Sequence, residues 1–468
     1  MKINTPVTVV IFGGTGDLAE HKLLPALYDL KQANCLPEDF FVVGFSRKDL
    51  SHEVYQSFIT DSLSKKGKPE DTDFVSRGRY KQGDLLDVTS YKDLAVYLYE
   101  LDESLGVCTN KLFYLAVPPA LYESVFTNLA ASGLTVPCKE HTQSDSWSRL
   151  LVEKPFGDDR KHAQHLDKLL GKLFQEDQIF RIDHYLAKET LQNILTFRFA
   201  NAMFEPIWNG DSIERVDVEL LESFDIKKRG SFYDGIGALR DVGQNHILQM
   251  LAIIAMEDPG HIDPASIRAA RANVLESTEL AGSIETSVVR GQYEGYQSVE
   301  GVAPDSETET FFNAKLKITT PRWKGTDFHI RSGKALNETC SRITITFKER
   351  VSCMCPENDT RSHKNTVTFM IQPNEGISVQ FWAKRPGFAY TLEEKDLSFM
   401  YPVSDQRLPD AYERVLYDAL RGDQTLFIST EEVIVQWNLI MPILEQWSVL
   451  PMHTYTKGVR PDEIGGTI

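Results

Sequence analysis

The sequence predicts an α/β N-terminal domain followed by a larger α+β domain with a broad, mostly antiparallel sheet. Three observations lead there. The first third alternates apolar, strand-like runs with helical spacing. The second half carries period-two runs separated by turn residues. A chain of 468 residues is also too long for one ordinary core. The break falls just after Asp183, giving domains 1–183 and 184–468.

The first element, residues 7–12, is a continuous apolar run that ends in glycines, as a buried parallel strand does. Leu23, Leu24, Leu27 and Leu30 then recur at helical spacing. Residues 40–45 form the second strand. Residues 112–117 form a third, closed by Pro118-Pro119. Residues 150–153 form another, closed by Lys154-Pro155. Phe180 and Ile182 alternate into Asp183. Beyond that point the period changes. Val216, Val218 and Leu220 alternate, as do Ile343, Ile345 and Phe347, then Val367, Phe369 and Ile371, and Ile377, Val379 and Phe381. Such runs suit an antiparallel sheet with one face buried. Helical patterns at residues 239–256, 411–420 and 431–444 bracket it, and the polar stretch 296–309 reads as a loop.

The formal net charge of −17 argues against a general nucleic-acid or membrane surface. An acidic chain that binds phosphorylated ligands must gather Lys, Arg and His where they dock. No apolar run approaches the roughly 18 residues of a membrane span. No signal-peptide anatomy precedes the first strand, so a cytoplasmic location is expected. Six scattered cysteines suit a reducing compartment. Cys353-Met354-Cys355 has no second Cys/His pair at zinc spacing, so no metal is expected.

Gly13-Gly14-Thr15-Gly16-Asp17-Leu18-Ala19 follows the first strand directly, and from Gly14 it fits G-x-G-x-x-A. Glycines let the backbone turn tightly and approach a pyrophosphate, and the helix that follows offers N–H groups to the anion. A glycine string alone also suits an ordinary turn. Its place between a strand and a helix points to a Rossmann-like dinucleotide site. No G-K-[ST] follows, which excludes a P-loop. An NAD site ends its second strand with an acidic residue. Here the strand ends Ser46-Arg47-Lys48, groups that bond and pair with a 2′-phosphate, which favours NADP without excluding NAD.

Arg181-Ile182-Asp183-His184-Tyr185-Leu186-Ala187-Lys188 is the densest chemical stretch. His184, Tyr185 and Lys188 offer three donors for a phosphate dianion where a strand gives way to a helix. Arg240 to His246 opens a long helix with an apolar continuation. A histidine there is often structural. Oxidising an alcohol nevertheless needs a base, and imidazole ionises near neutrality. A carboxylate would hold its tautomer.

Together these segments resemble the glucose-6-phosphate dehydrogenases over almost the whole chain. The resemblance rests on the glycine loop with Lys22 after it, Glu153-Lys154-Pro155-Phe156-Gly157, residues 181–189 and 229–246, Arg331-Ser332-Gly333-Lys334, and Asp410-Ala411-Tyr412-Glu413-Arg414. It implies oxidation of glucose 6-phosphate at C1 to 6-phospho-D-glucono-1,5-lactone with NADP as hydride acceptor, the first step of the pentose phosphate pathway. It implies His246 as general base, with Asp183 orienting it. His184, Tyr185 and Lys188 would bind the 6-phosphate, and Lys154 would lie between sugar and cofactor. Glu222 and Asp241 would accept sugar hydroxyls, and Lys334 would add positive charge. Gly13, Gly14, Thr15, Gly16, Asp17, Leu18, Ala19, Ser46, Arg47 and Tyr122 would hold the dinucleotide. A homodimer or homotetramer built on the broad sheet is implied too, and the Lys154–Pro155 bond is a candidate for cis.

One departure concerns the fifth position after Lys334, where many members carry a second basic residue and this chain has Thr339. Either Arg342 compensates, or that subsite is weaker. Glu20 also stands where the family often has a basic residue. Two other readings stay open: a dehydrogenase of another sugar or sugar phosphate, and a non-catalytic NADP-binding homologue.

Overall fold

The computed structural model describes residues 3, 5–137, 146–349, 361–401 and 407–466. The chain folds as two compact units. The first comprises residues 1–187, 263–265 and 409–433, and the second comprises residues 188–262, 266–408 and 434–468.

The strands of the first unit are β1 (Val7–Phe12), β2 (Phe40–Ser46), β3 (Gly78–Gln82), β4 (Asn110–Leu115), β5 (Ser148–Val152) and β6 (Ile179–Ile182). In space they run 3-2-1-4-5-6, all parallel, which is the doubly wound dinucleotide-binding order. The chain reverses its build direction at β1, whose neighbours are β2 and β4. Ligands of such sheets bind at the carboxyl ends of the strands at that point. Every residue of β1 is buried, which explains its apolar character, and its one polar side chain, Thr8, has its hydroxyl 2.7 Å from that of Thr109. Connecting helices start on capping side chains. Ser51 accepts from Val54 N–H, Asp87 from Thr89 N–H, and Asp159 from His162 N–H.

The second unit holds a ten-stranded sheet. Its strands are β7 (Ile213–Leu221), β8 (Thr278–Leu280), β9 (Val288–Tyr293), β10 (Phe311–Ile318), β11 (Asp327–Gly333), β12 (Cys340–Phe347), β13 (Thr366–Gln372), β14 (Gly376–Lys384) and β15 (Leu392–Met400), with β17 (Met452–Tyr455) at one edge. The remaining short strand, β16 (Phe427–Ile428), belongs to the first unit and lies antiparallel beside β6. The order in the large sheet is 15-14-13-12-7-11-10-9-17, with β8 beside β10. Most pairs are antiparallel, as expected. β7 with β11 and β9 with β17 are parallel. On one face Val216, Val218, Ile330, Ile343, Ile345 and Phe369 are buried. On the other, Glu219 lies between Arg331 and Arg342, with Oε1 2.5 Å from Arg331 Nε and Oε2 2.6 Å from Arg342 Nε.

Cys35 and Cys340 are free thiols, and Cys108 is disulfide-bonded. Scattered sequence positions did not foretell that bond, because separation along the chain is no measure of separation in space. Cys138 and Cys353-Met354-Cys355 lie outside the described residues.

Candidate functional site

The glycine loop is built by close backbone crossings. Gly13 N–H donates to Phe45 O at 2.9 Å, and Gly16 N–H to Gly13 O at 2.9 Å. Gly13 has φ +81, and a Cβ there would lie 2.4 Å from Ala116 O, beyond the end of β4. A Cβ on Gly14 would lie 2.5 Å from Gly44 Cα. At Gly13 and Gly14 the loop therefore lies against its neighbours with no room for a side chain, which suits a dinucleotide cradle. The first turn after it, Ala19–Leu23, is π-helical and leads into the helix Leu24–Gln32. Thr15 Oγ1 is 3.1 Å from Ser46 Oγ, so the loop and the end of β2 touch through two hydroxyls. Arg47 and Lys48 are exposed beside them.

Asp183 follows β6 and is 2% exposed. Its carboxylate accepts from Tyr185 N–H at 2.9 Å, turning the chain so that half-buried His184 and Tyr185 come side by side, ring centres 5.2 Å apart. The His184 ring is also near-parallel to that of Tyr412, 6.3 Å away. Lys22 Nζ lies 5.5 Å from the Tyr412 ring centre and 3.7 Å from Asp410. Lys188 immediately precedes the helix Glu189–Phe199. The Lys154–Pro155 bond is cis. Tyr122 is buried, and its hydroxyl donates to Glu153 O at 2.9 Å, which holds the residue before Lys154 in place. The Glu153 carboxyl accepts from the Tyr114 hydroxyl. Desolvation raises the carboxyl's pKa, against the lowering effects of that hydrogen bond and of Lys154, with Asp183 adding to the rise.

In the second unit three residues distant in sequence converge. Lys334 is 8% exposed, forms an ion pair with Glu222, and lies 3.7 Å from Asp241 Oδ2. Its ammonium is also 5.1 Å from the Tyr233 ring centre. One cation flanked by two carboxylates suits the hydroxyls of a sugar, which donate and accept at once.

Asp241 and His246 belong to one π-helical segment, Leu239–Ile247, continued by the α-helix Leu248–Ala255. The regular helical period expected across this stretch thus gives way to a wider turn, a feature frequent at functional sites. His246 is 1% exposed. The segment's N-terminus is fixed by Glu309. Leu239 N–H donates to its carboxylate at 3.0 Å, and the Trp447 indole N–H donates to its other oxygen at 3.0 Å. Burial raises the Glu309 pKa, against these hydrogen bonds. Gly237, at φ +77, makes way for that carboxylate, since a Cβ would lie 2.3 Å from each of its oxygens.

Family comparisons decide what these groups belong to. Residues 10–193 match the glucose-6-phosphate dehydrogenase NAD binding domain, and residues 195–464 match the glucose-6-phosphate dehydrogenase C-terminal domain. The chain belongs to the glucose-6-phosphate dehydrogenase family. Among its relatives, glucose-6-phosphate 1-dehydrogenase 2 of Mycobacterium tuberculosis is 38% identical over 466 residues, covering 96% of this chain and 89% of that one. Glucose-6-phosphate 1-dehydrogenase of Bacillus subtilis is 37% identical over 453 residues, covering 94% and 91%. A solved glucose-6-phosphate dehydrogenase in complex with its substrate glucose-6-phosphate superposes with a TM-score of 0.90 at 33% identity, covering 98% of this chain and 96% of that one.

Within this glucose-6-phosphate dehydrogenase fold, the Thr339 departure has a structural setting. Thr339 Oγ1 accepts from Ser223 N–H at 2.9 Å and is 2.7 Å from Ser223 Oγ, next to Glu222. Arg342 is engaged elsewhere, by Glu219 and by Glu338 at 3.1 Å. Several neighbours of the expected site residues had no role assigned from sequence. Tyr412 lay in the Asp-Ala-Tyr-Glu-Arg motif, but nothing in its spacing showed that it would lie beside His184. Glu309 lay in a stretch read as loop.

Proposed function

We propose that this chain oxidises D-glucose 6-phosphate at C1 to 6-phospho-D-glucono-1,5-lactone with NADP, the entry step of the pentose phosphate pathway. The likeness along the whole chain to a solved relative in complex with glucose-6-phosphate carries the reading. Bound NADP supplies the hydride acceptor. His246 takes the proton of the C1 hydroxyl, with Asp183 holding the imidazole in its working tautomer. His184, Tyr185 and Lys188 bind the phosphate, while Glu222, Asp241 and Lys334 grip the sugar. Lys154 steers sugar and cofactor toward each other. The glycine loop and Tyr122 order the dinucleotide's surroundings, and Ser46 and Arg47 hold its 2′-phosphate. Among the described residues no helix is long and apolar enough to cross a membrane. The work is that of a cytoplasmic homodimer or homotetramer. Supporting an assembly of copies, the edge strand β15 leaves Leu397, Phe399 and Met400 exposed.

The test is NADPH formation from a panel of phosphorylated and free sugars. Glucose 6-phosphate is expected to be the preferred substrate by about 100-fold in kcat/KM over free glucose, since the phosphate donors are then left unpaired. Equal rates on both would overturn the substrate; tight NADP binding without turnover on any sugar would favour a binding protein. Thr339 gives a finer prediction. Thr339→Arg is expected to lower KM for glucose 6-phosphate by about three- to fivefold with kcat nearly unchanged, the effect of one added outer ion pair. An unchanged KM would remove the idea of a weakened subsite.

A further inference from the structure

The turn Ser46-Arg47-Lys48 is tied to β3 through all three of its carbonyls. Ser46 O accepts from Gly83 N–H at 3.0 Å and lies 3.1 Å from the Tyr80 hydroxyl. Arg47 O accepts from the Gln82 side-chain amide at 3.2 Å. Lys48 O accepts from the Tyr80 hydroxyl at 2.6 Å. Carbonyl oxygens carry the negative end of the peptide dipole. With all three turned toward β3, the turn's cationic side chains, Arg47 and Lys48, are left facing solvent.

The Tyr80 hydroxyl has one proton, and its shortest acceptor is Lys48 O. Ser46 Oγ, 2.8 Å from Tyr80 Oη, then has the phenol oxygen as an acceptor for its own proton. Thr15 Oγ1 can in turn donate to Ser46 Oγ at 3.1 Å. With the phenol proton on Lys48 O, the chain Thr15–Ser46–Tyr80–Lys48 can run one way. Ser46 can swing its proton to an incoming anion without breaking either the Thr15 or the Lys48 link. The phenol is well placed for a fixed role. It is 3% exposed, its ring packs against Tyr55 at 5.4 Å, and its own N–H donates to His52 Nδ1 at 3.1 Å. Burial raises its pKa, against the lowering effect of the Ser46 hydrogen bond.

We infer that Tyr80 is a positioning residue for cofactor selection: its hydroxyl sets the 46–48 turn so that Ser46 and Arg47 meet one adenosine 2′-phosphate. This rests on the reading above that Ser46 and Arg47 hold that phosphate. Tyr80 touches no ligand itself. It acts by fixing backbone oxygens away from the anion and by taking the resting proton of Ser46.

The probes are adenosine 2′,5′-bisphosphate and adenosine 5′-monophosphate, titrated calorimetrically into the full chain. Tyr80→Phe keeps the ring and deletes only the hydroxyl. It is expected to weaken the bisphosphate by about tenfold and to leave the monophosphate within about twofold, matching loss of one charge-assisted interaction. Gln82→Met breaks the Arg47 carbonyl link from an exposed side chain, where folding is not at stake, and is expected to shift the same ratio by about threefold. Equal weakening of both probes by Tyr80→Phe means a packing role only and overturns the inference, as does no change in either. Arg47→Ala separates the premise: if it keeps the bisphosphate preference, the phosphate reading fails, and if it loses the preference while Tyr80→Phe and Gln82→Met do not, only the inference about Tyr80 fails.

Discussion

Replacing His246 by asparagine is expected to lower kcat by about a thousandfold, within the range that general-base removal produces. The dissociation constants of glucose 6-phosphate and NADP are expected to stay within about threefold, as for a group whose work is done in the transition state. Asparagine is close to imidazole in reach and remains polar, so the site is not left with a large cavity. The position itself is well supported. His246 is 1% exposed, and its own N–H donates to Asn245 Oδ1 at 2.6 Å. The start of its segment is held by the Glu309 carboxylate, which Trp447 braces from the C-terminal part of the chain. The variant therefore tests chemistry rather than folding. Stopped-flow NADPH absorbance gives kcat, and calorimetry gives binding. A kcat within about tenfold of the parent would assign the base elsewhere. If Asp183 orients the base as proposed, Asp183→Asn is expected to follow the same pattern with a smaller loss, because an orienting carboxylate supports a base without replacing it.

How far the sequence reaches depends on which residues carry the signal. The glycine loop was legible because strand, turn and helix appear in order within a few residues, and each constraint there is backbone-scale. β1 was legible because every residue in it is buried and all but Thr8 are apolar. β3 was not: Gly-Arg-Tyr-Lys-Gln lacks an apolar run, since only Gly78 and Tyr80 point into buried space. β15 was missed for a related reason. Its Leu-Glu-Glu-Lys-Asp-Leu-Ser-Phe-Met opens on charged residues, and as an edge strand it has no buried residue to betray it. The grouping of Glu222, Asp241 and Lys334 has no local signature at all. It is made by β7, the π-helical segment and the end of β11, so only the family resemblance could name the three together. The π-helical turn was invisible as well, because a few residues of altered period do not disturb an apolar pattern. Tyr80 combines two of these difficulties: an unpredicted strand, and a role carried by hydroxyl contacts to backbone oxygens.

The glycines of the loop are expected to fail in two different ways when each gains one methyl group. At Gly14 the new Cβ would meet Gly44 Cα at 2.5 Å, Ile11 O at 3.0 Å and Phe45 N at 3.1 Å. All three are backbone atoms of β1 and β2, adjacent strands of the first sheet, and none can swing aside. Gly14→Ala is therefore expected to destabilise the protein by about 2–3 kcal/mol, as overpacking does, and to weaken NADP binding by about 100-fold as the loop shifts. At Gly16 the residue is exposed, and the nearest atom to a new Cβ is Gly13 O at 3.2 Å. The folded chain can absorb that contact, so Gly16→Ala is expected to keep its Tm within a few degrees. If the loop cradles a pyrophosphate, though, the methyl group stands where the phosphate oxygens must approach, and NADP binding is expected to fall by about tenfold or more. Thermal melts and NADP titrations on the two variants separate the causes. Loss of stability without loss of affinity at Gly14, or unchanged affinity at Gly16, would mean that the glycines serve only the turn. In that case the dinucleotide pyrophosphate does not lie on this loop.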